Sequence, residues 1–162
     1  MKRIAVLRGG PSSEYDVSLL SGAAVLKSLR ELSYPYKDII ISKKGEWLES
    51  GMTRTPDNAL EAVDVVFIAL HGEYGEDGQI QRILHRKNIP FTGSGAMSSA
   101  IAFNKELSKQ TLKDFDMKMV PHRRVDKLSL HNLQFELDYI EETMHSELFV
   151  KPLASGSSIG AR

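Results

Sequence analysis

No cysteine occurs anywhere in the 162 residues. Its absence removes disulfides, thiolate metal sites and cysteine nucleophiles together, and it fits the reducing cytoplasm that is the expected location. An excess of either charge is lacking too, because 21 Lys and Arg offset 21 Asp and Glu. No strong field is available to attract DNA, RNA or an anionic membrane, so neither nucleic acid nor membrane is expected as a partner. Long apolar runs are also missing. Ile4-Ala5-Val6-Leu7 is too short for the core of a signal peptide, and no stretch approaches a membrane span. What remains is 41% hydrophobic and 26% charged, ordinary for a soluble globular protein with one good core, or one domain and part of a second.

What is present alternates between short apolar runs and helical spacing. Ile4 to Leu7 reads as a strand that breaks at Gly9-Gly10-Pro11. From about Glu14 to Leu32, Val17, Leu20, Ala24, Val25, Leu29 and Leu32 fall three or four apart and predict a helix, with Ser13 and Asp16 placed as a capping box. Ile39-Ile40-Ile41 is a second strand. Asp64 to Leu70 is the strongest, β-branched and apolar without alternation, as a strand covered on both faces should be. A helix to about Lys87 and a short strand at Ile89 to Thr92 follow. This order implies an α/β fold with a mostly parallel sheet wrapped by helices.

Gly93-Ser94-Gly95 is the expected boundary between residues 1–95 and a second region, 96–162. Beyond it, helices are expected at Ala96 to Phe103 and from Lys105 to about Asp114, with Asn104 as a cap. Strands are expected at Val120 to Val125 and Leu148 to Lys151. Leu130, Leu133, Leu137, Ile140 and Met144 predict an amphipathic helix between them. The second region offers about two strands, a thin basis for a core of its own, and its last strand leads into a Gly/Ser-rich loop. The sequence therefore reads as part of a longer protein.

Ligands of such sheets sit beyond the C-terminal strand ends, where both unusual loops lie. In Gly9-Gly10-Pro11-Ser12-Ser13-Glu14 the third glycine of a dinucleotide fingerprint is missing, which argues against an oxidoreductase domain. Glu14 would repel a pyrophosphate; it suits an amine, or else simply complements the helix dipole. His71 follows the best strand and could donate to an anionic oxygen or move a proton. Glu73, Glu76 and Asp77 invite a metal reading, but Asp77 is well placed as a cap for the next helix, and no metal is assigned there. Lys105 alone would pass for a surface charge. Lys151 ends an apolar strand and precedes Pro152 and a loop rich in N–H and hydroxyl donors, an arrangement suited to phosphate. No Gly-Lys pair exists, so a Walker A loop is excluded.

Four blocks resemble the D-alanine–D-alanine ligases of the ATP-grasp superfamily: GGPSSEYDVSLLSG from Gly9, FIALHGEYGEDGQIQ from Phe67, FTGSGAMSSAIAFNK from Phe91 and FVKPLASGSSIG from Phe149. The resemblance implies a Rossmann-like, pre-ATP-grasp sheet with flanking helices, followed by an incomplete ATP-grasp subdomain. It implies ATP-dependent ligation of two D-alanines through an acyl phosphate, for peptidoglycan precursor synthesis. By position, Glu14 would hold the ammonium of the first D-alanine and His71 would lie near its carboxylate. Lys105 and Lys151 would bind ATP phosphates, and Ser157 and Ser158 would touch the γ-phosphate and help orient Glu14. ATP and Mg2+ are the implied cofactors, with the magnesium ligands expected outside this chain, and a homodimer is the implied assembly. Ala154-Ser155 stands where the family usually has Arg-Glu, and Asn104 where Asp is commoner. Without magnesium ligands the isolated chain is expected to be inactive. The alternative is a non-catalytic module of the same ancestry that binds a D-amino acid or a nucleotide.

Overall fold

A computed structural model describes residues 1–126, 132–144, 147–156 and 160–162. The first half is built on one five-stranded sheet in the order β4-β3-β2-β1-β5. β1 (Ile4–Gly9) lies in the middle and pairs in parallel with β2 (Tyr36–Ile41) and β5 (Val65–Ile68). Its alternation explains that place. Ala5 and Leu7 face one side with Ile39, Ile41, Val66, Ile80 and Leu84, whereas Val6 faces the other with Leu26, Leu29 and Ala69. Both faces are therefore covered, the second by α1 (Tyr15–Glu31) and the first largely by α3 (Gln79–Arg86).

The parallel core matches the sequence reading, but an antiparallel extension does not appear in it. β3 (Trp47–Glu49) and β4 (Met52–Arg54) form a hairpin on the outer side of β2. Ser50 (φ 50°) and Gly51 (φ 78°) make its two-residue turn, with the positive dihedrals that tight hairpins require. Strands of three residues are too short to show alternation. A single helical turn, α2 (Pro56–Ala59), follows behind the cap of Thr55, whose side chain accepts from Asn58 N at 3.3 Å.

Other expectations are corrected. Ile89 to Thr92 makes only an isolated parallel bridge, Val66 with Phe91, flanked by Val66 N donating to Pro90 O and Thr92 N donating to Val66 O. Ser13 and Asp16 form no capping box: α1 begins after the N-cap residue Glu14, which makes no side-chain cap, and Ser12 accepts from Glu14 N instead. Val120 to Val125 is exposed and irregular, with Pro121 unable to donate to a ladder. Leu148 to Lys151 forms no strand, although Val150 exchanges two backbone bonds with Arg162.

α4 (Ala96–Phe103) and α5 (Lys105–Leu112) match their expected spans. Asn104 caps α5 by accepting from Glu106 N and Leu107 N at 3.1 and 3.0 Å. α6 (Leu133–Met144) is helical as its spacing predicts, yet Leu133, Phe135 and Leu137 stay exposed; Leu130 lies outside the described residues. Its buried residue is Glu136, which accepts from Arg123 Nε and Nη2 at 2.8 and 2.9 Å. Among the described residues no helix is long and apolar enough to cross a membrane.

Candidate active site

The site begins with a fully buried hydroxyl. Ser18, on the first turns of α1, accepts from Gly9 N and donates to Ala69 O, both at 2.7 Å. It thereby ties the C-terminal ends of β1 and β5 to the helix between them. The two loops that leave those strands are joined again one step further out. Ser12 donates to His71 O at 2.7 Å and accepts from Glu14 N at 3.2 Å. Sequence reading singled out neither serine. Ser18 sits on the inner face of an otherwise apolar helix, and that misplaced polarity was the available signal.

His71 is held at one ring nitrogen and faces a carboxylate with the other. Nε2 shares a 2.9 Å hydrogen bond with Ser21 Oγ, and Nδ1 lies 3.8 Å from Glu76 Oε1. Glu76 is placed by its own N–H, which donates to Gly72 O at 2.9 Å. Glu14 lies against the same loop. A methyl group on Gly72 would sit 2.8 Å from Glu14 Oε2, and one on Gly156 would sit 3.2 Å from it. The Glu14 carboxylate is thus packed between the His71 loop and the segment after Lys151, and Glu76 reaches toward Gly156 as well.

Beside them opens a cleft of about 600 Å³ whose walls include His71, Glu76, Gln81, Ser94, Lys105 and Gly156. Lys105 joins its far wall to the glycine-rich segment: the ammonium donates to Ser155 O at 2.8 Å and the backbone N–H to Leu153 O at 3.0 Å. Lys151 does not line this cleft. Its ammonium lies 5.4 Å from the centre of the Phe149 ring, a cation–π contact. Ser157 and Ser158 lie outside the described residues. His71 and Lys105 therefore line one cleft, Glu14 packs against Gly72 and Gly156 without lining it, and Lys151 does not line it either.

Within the His71 loop, Asp77 accepts from Tyr74 N and Gln79 N, both at 3.0 Å, so it braces the loop while Gly78 takes the cap position of α3. Tyr74 accepts from the Trp47 indole N–H at 3.2 Å. Burial pushes its phenol pKa up, the Trp47 bond opposes that, and the Asp77 charge adds to it.

The D-ala D-ala ligase N-terminus family matches residues 3–60 and 49–94, more than half of the chain. The chain belongs to the D-alanine–D-alanine ligase family. The D-alanine–D-alanine ligase of Geotalea uraniireducens is 41% identical over 162 residues, which cover 98% of this chain and 46% of that protein. The Clostridium novyi ligase is 35% identical, with 98% and 52% covered. Among solved structures, the VanG D-Ala:D-Ser ligase from Enterococcus faecalis superimposes with a TM-score of 0.80 at 28% identity, over 99% of this chain and 54% of that one. D-alanyl-alanine synthetase A from Vibrio cholerae gives 0.78 at 26%, over 99% and 51%. The chain spans about half the length of the curated relatives it matches, and it corresponds to the N-terminal portion of the ligase.

Proposed function

We propose that this chain forms the amino-acid site of an ATP-dependent ligase that joins two D-alanines for peptidoglycan precursor synthesis. The observation that carries the reading is the Glu14 carboxylate packed against the His71 loop, with His71, Glu76 and Lys105 around one cleft. Glu14, half-buried against Gly72 and Gly156, takes the ammonium of the first D-alanine as an ion pair. The substrate carboxylate then points toward His71, whose ring is oriented by Ser21 and faced by Glu76. A carboxylate oxygen attacks the γ-phosphorus of ATP, the bond to the bridging oxygen breaks, and ADP leaves an acyl phosphate. The free amine of the second D-alanine adds to the acyl carbon, and the tetrahedral intermediate collapses with loss of inorganic phosphate.

Little of this needs covalent chemistry from the protein; positioning and positive charge lower the barrier. Lys105 supplies charge at the cleft wall by exchanging Ser155 O for a phosphate oxygen. Lys151 joins it once its ammonium leaves the Phe149 ring, and Ser157 and Ser158 act at the γ-phosphate. Magnesium neutralises the phosphates when bound. Among the described residues no three His, Asp or Glu side chains gather as ligands for it, so no step is routed through it. In this reading residues 1–95 hold the amino acid and residues 96–162 begin the nucleotide side, and the second substrate is D-alanine.

Calorimetric titration tests the first contact. The chain should bind D-alanine in preference to L-alanine, and Glu14→Gln should abolish the binding while leaving the circular dichroism spectrum unchanged. Equal binding of D-alanine by Glu14→Gln would end the assignment.

A further inference from the structure

Gln81 is a buried amide on α3, 4% exposed, at the wall of the cleft and in register with the core residue Leu84 one turn on. Its nitrogen donates to Gly75 O at 2.7 Å. Its oxygen is, among the described residues, the one buried side-chain polar atom without a partner, with less than 1 Å² exposed. Rotating the amide by half a turn does not help, because it would set carbonyl against carbonyl at Gly75. An unpaired buried acceptor works against stability, and Leu or Met would fill this helical position without it. Packing therefore does not account for an amide here; the grip on Gly75 does.

Gly75 is the point through which that grip is transmitted. It is seated against Leu70, two residues past β5, so closely that a methyl group on it would lie 2.5 Å from Leu70 Cβ and 2.9 Å from the Leu70 carbonyl carbon. The next residue is Glu76, whose carboxylate faces His71 Nδ1 at 3.8 Å. We infer that Gln81 is a positioning residue for the amino-acid site: by holding the Gly75 carbonyl it sets Glu76 against His71, at the cost of its own unpaired oxygen. Its role in binding rests on the function proposed above; its role in ordering the loop does not.

Gln81→Met separates positioning from packing, since the side chains are similar in volume and Met carries neither the donor nor the unpaired acceptor. The full 162-residue chain is compared with the variant in three measurements. The denaturation midpoint should stay level or rise. Amide exchange at Gly75 and Glu76 should accelerate about tenfold, the worth of one buried hydrogen bond, and the His71 imidazole resonances should shift. The Kd for D-alanine should rise by about the same factor. Unchanged exchange and unchanged His71 resonances would overturn the inference. So would a midpoint that falls in step with the faster exchange, which is what a purely structural residue gives. If the wild-type chain fails to bind D-alanine while Gln81→Met still frees Glu76 and His71, the ligase reading fails and the positioning role stands. If D-alanine binds both proteins equally although the loop is loosened, the link from Gln81 to the ligand is refuted.

Discussion

Replacing Ser18 by alanine removes one oxygen atom and strands two backbone groups. The Gly9 N–H and the Ala69 carbonyl each bond to the Ser18 hydroxyl at 2.7 Å, and the residue is fully buried, so water cannot take its place without opening the sheet. An unpaired buried backbone group costs about 1–3 kcal/mol, and relaxation recovers part of that, so the expected loss is about 2–4 kcal/mol. At about 2–4 °C per kcal/mol for a protein near this size, the melting temperature should drop by about 5–15 °C. Trp47 is buried in the same core and supplies the fluorescence signal for a urea titration. A loss of stability without a change in the slope of the transition marks a folded-state effect. A loss under about 0.5 kcal/mol would refute the clamp, because an exposed serine-to-alanine change costs no more than that.

Two further outcomes follow from the same loops. Gly72 has φ +69°, and its added methyl would meet Glu14 Oε2 at 2.8 Å. Gly72→Ala should therefore cost about 1–2 kcal/mol in backbone strain and should displace Glu14, weakening D-alanine binding more than tenfold by calorimetry. Tyr74 holds its proton more tightly in the fold than its usual value of 10.0 allows, chiefly through burial. A raised pKa contributes stability that is fully present below the unfolded value and is lost as pH rises through the folded one. Urea midpoints from about pH 8 to about pH 11 should fall, and Tyr74→Phe should flatten that alkaline limb; an identical slope in the variant would show that burial of Tyr74 plays no part.

How much could be read in advance depended on how many residues shared a signal. β1, α1 and β5 announce themselves through runs of apolar residues at fixed spacing, and each was anticipated to within a few residues. The β3–β4 hairpin was not, because three-residue strands carry no period and only Ser50-Gly51 hinted at a turn. Val120 to Val125 and Leu148 to Lys151 misled in the opposite sense: β-branched and aromatic residues favour strands only where a sheet exists to receive them. Around the cleft, Glu14 and His71 were legible from chemistry and position, and Lys105 only from resemblance. Ser12, Ser21 and Gln81 were not, because a serine or glutamine acquires a role from the single atom it meets across the fold, and Ser21 meets His71 fifty positions away in sequence.

The bond between Trp47 and Tyr74 joins the chain's sole tryptophan to the loop that carries His71 and Glu76. Any movement of that loop alters the polarity and hydrogen bonding around the indole, and so its emission colour and intensity. The protein therefore carries an intrinsic optical gauge of its own cleft, readable in a stopped-flow mixer without a dye. The hairpin that supplies the indole ties that readout to the loop at Tyr74.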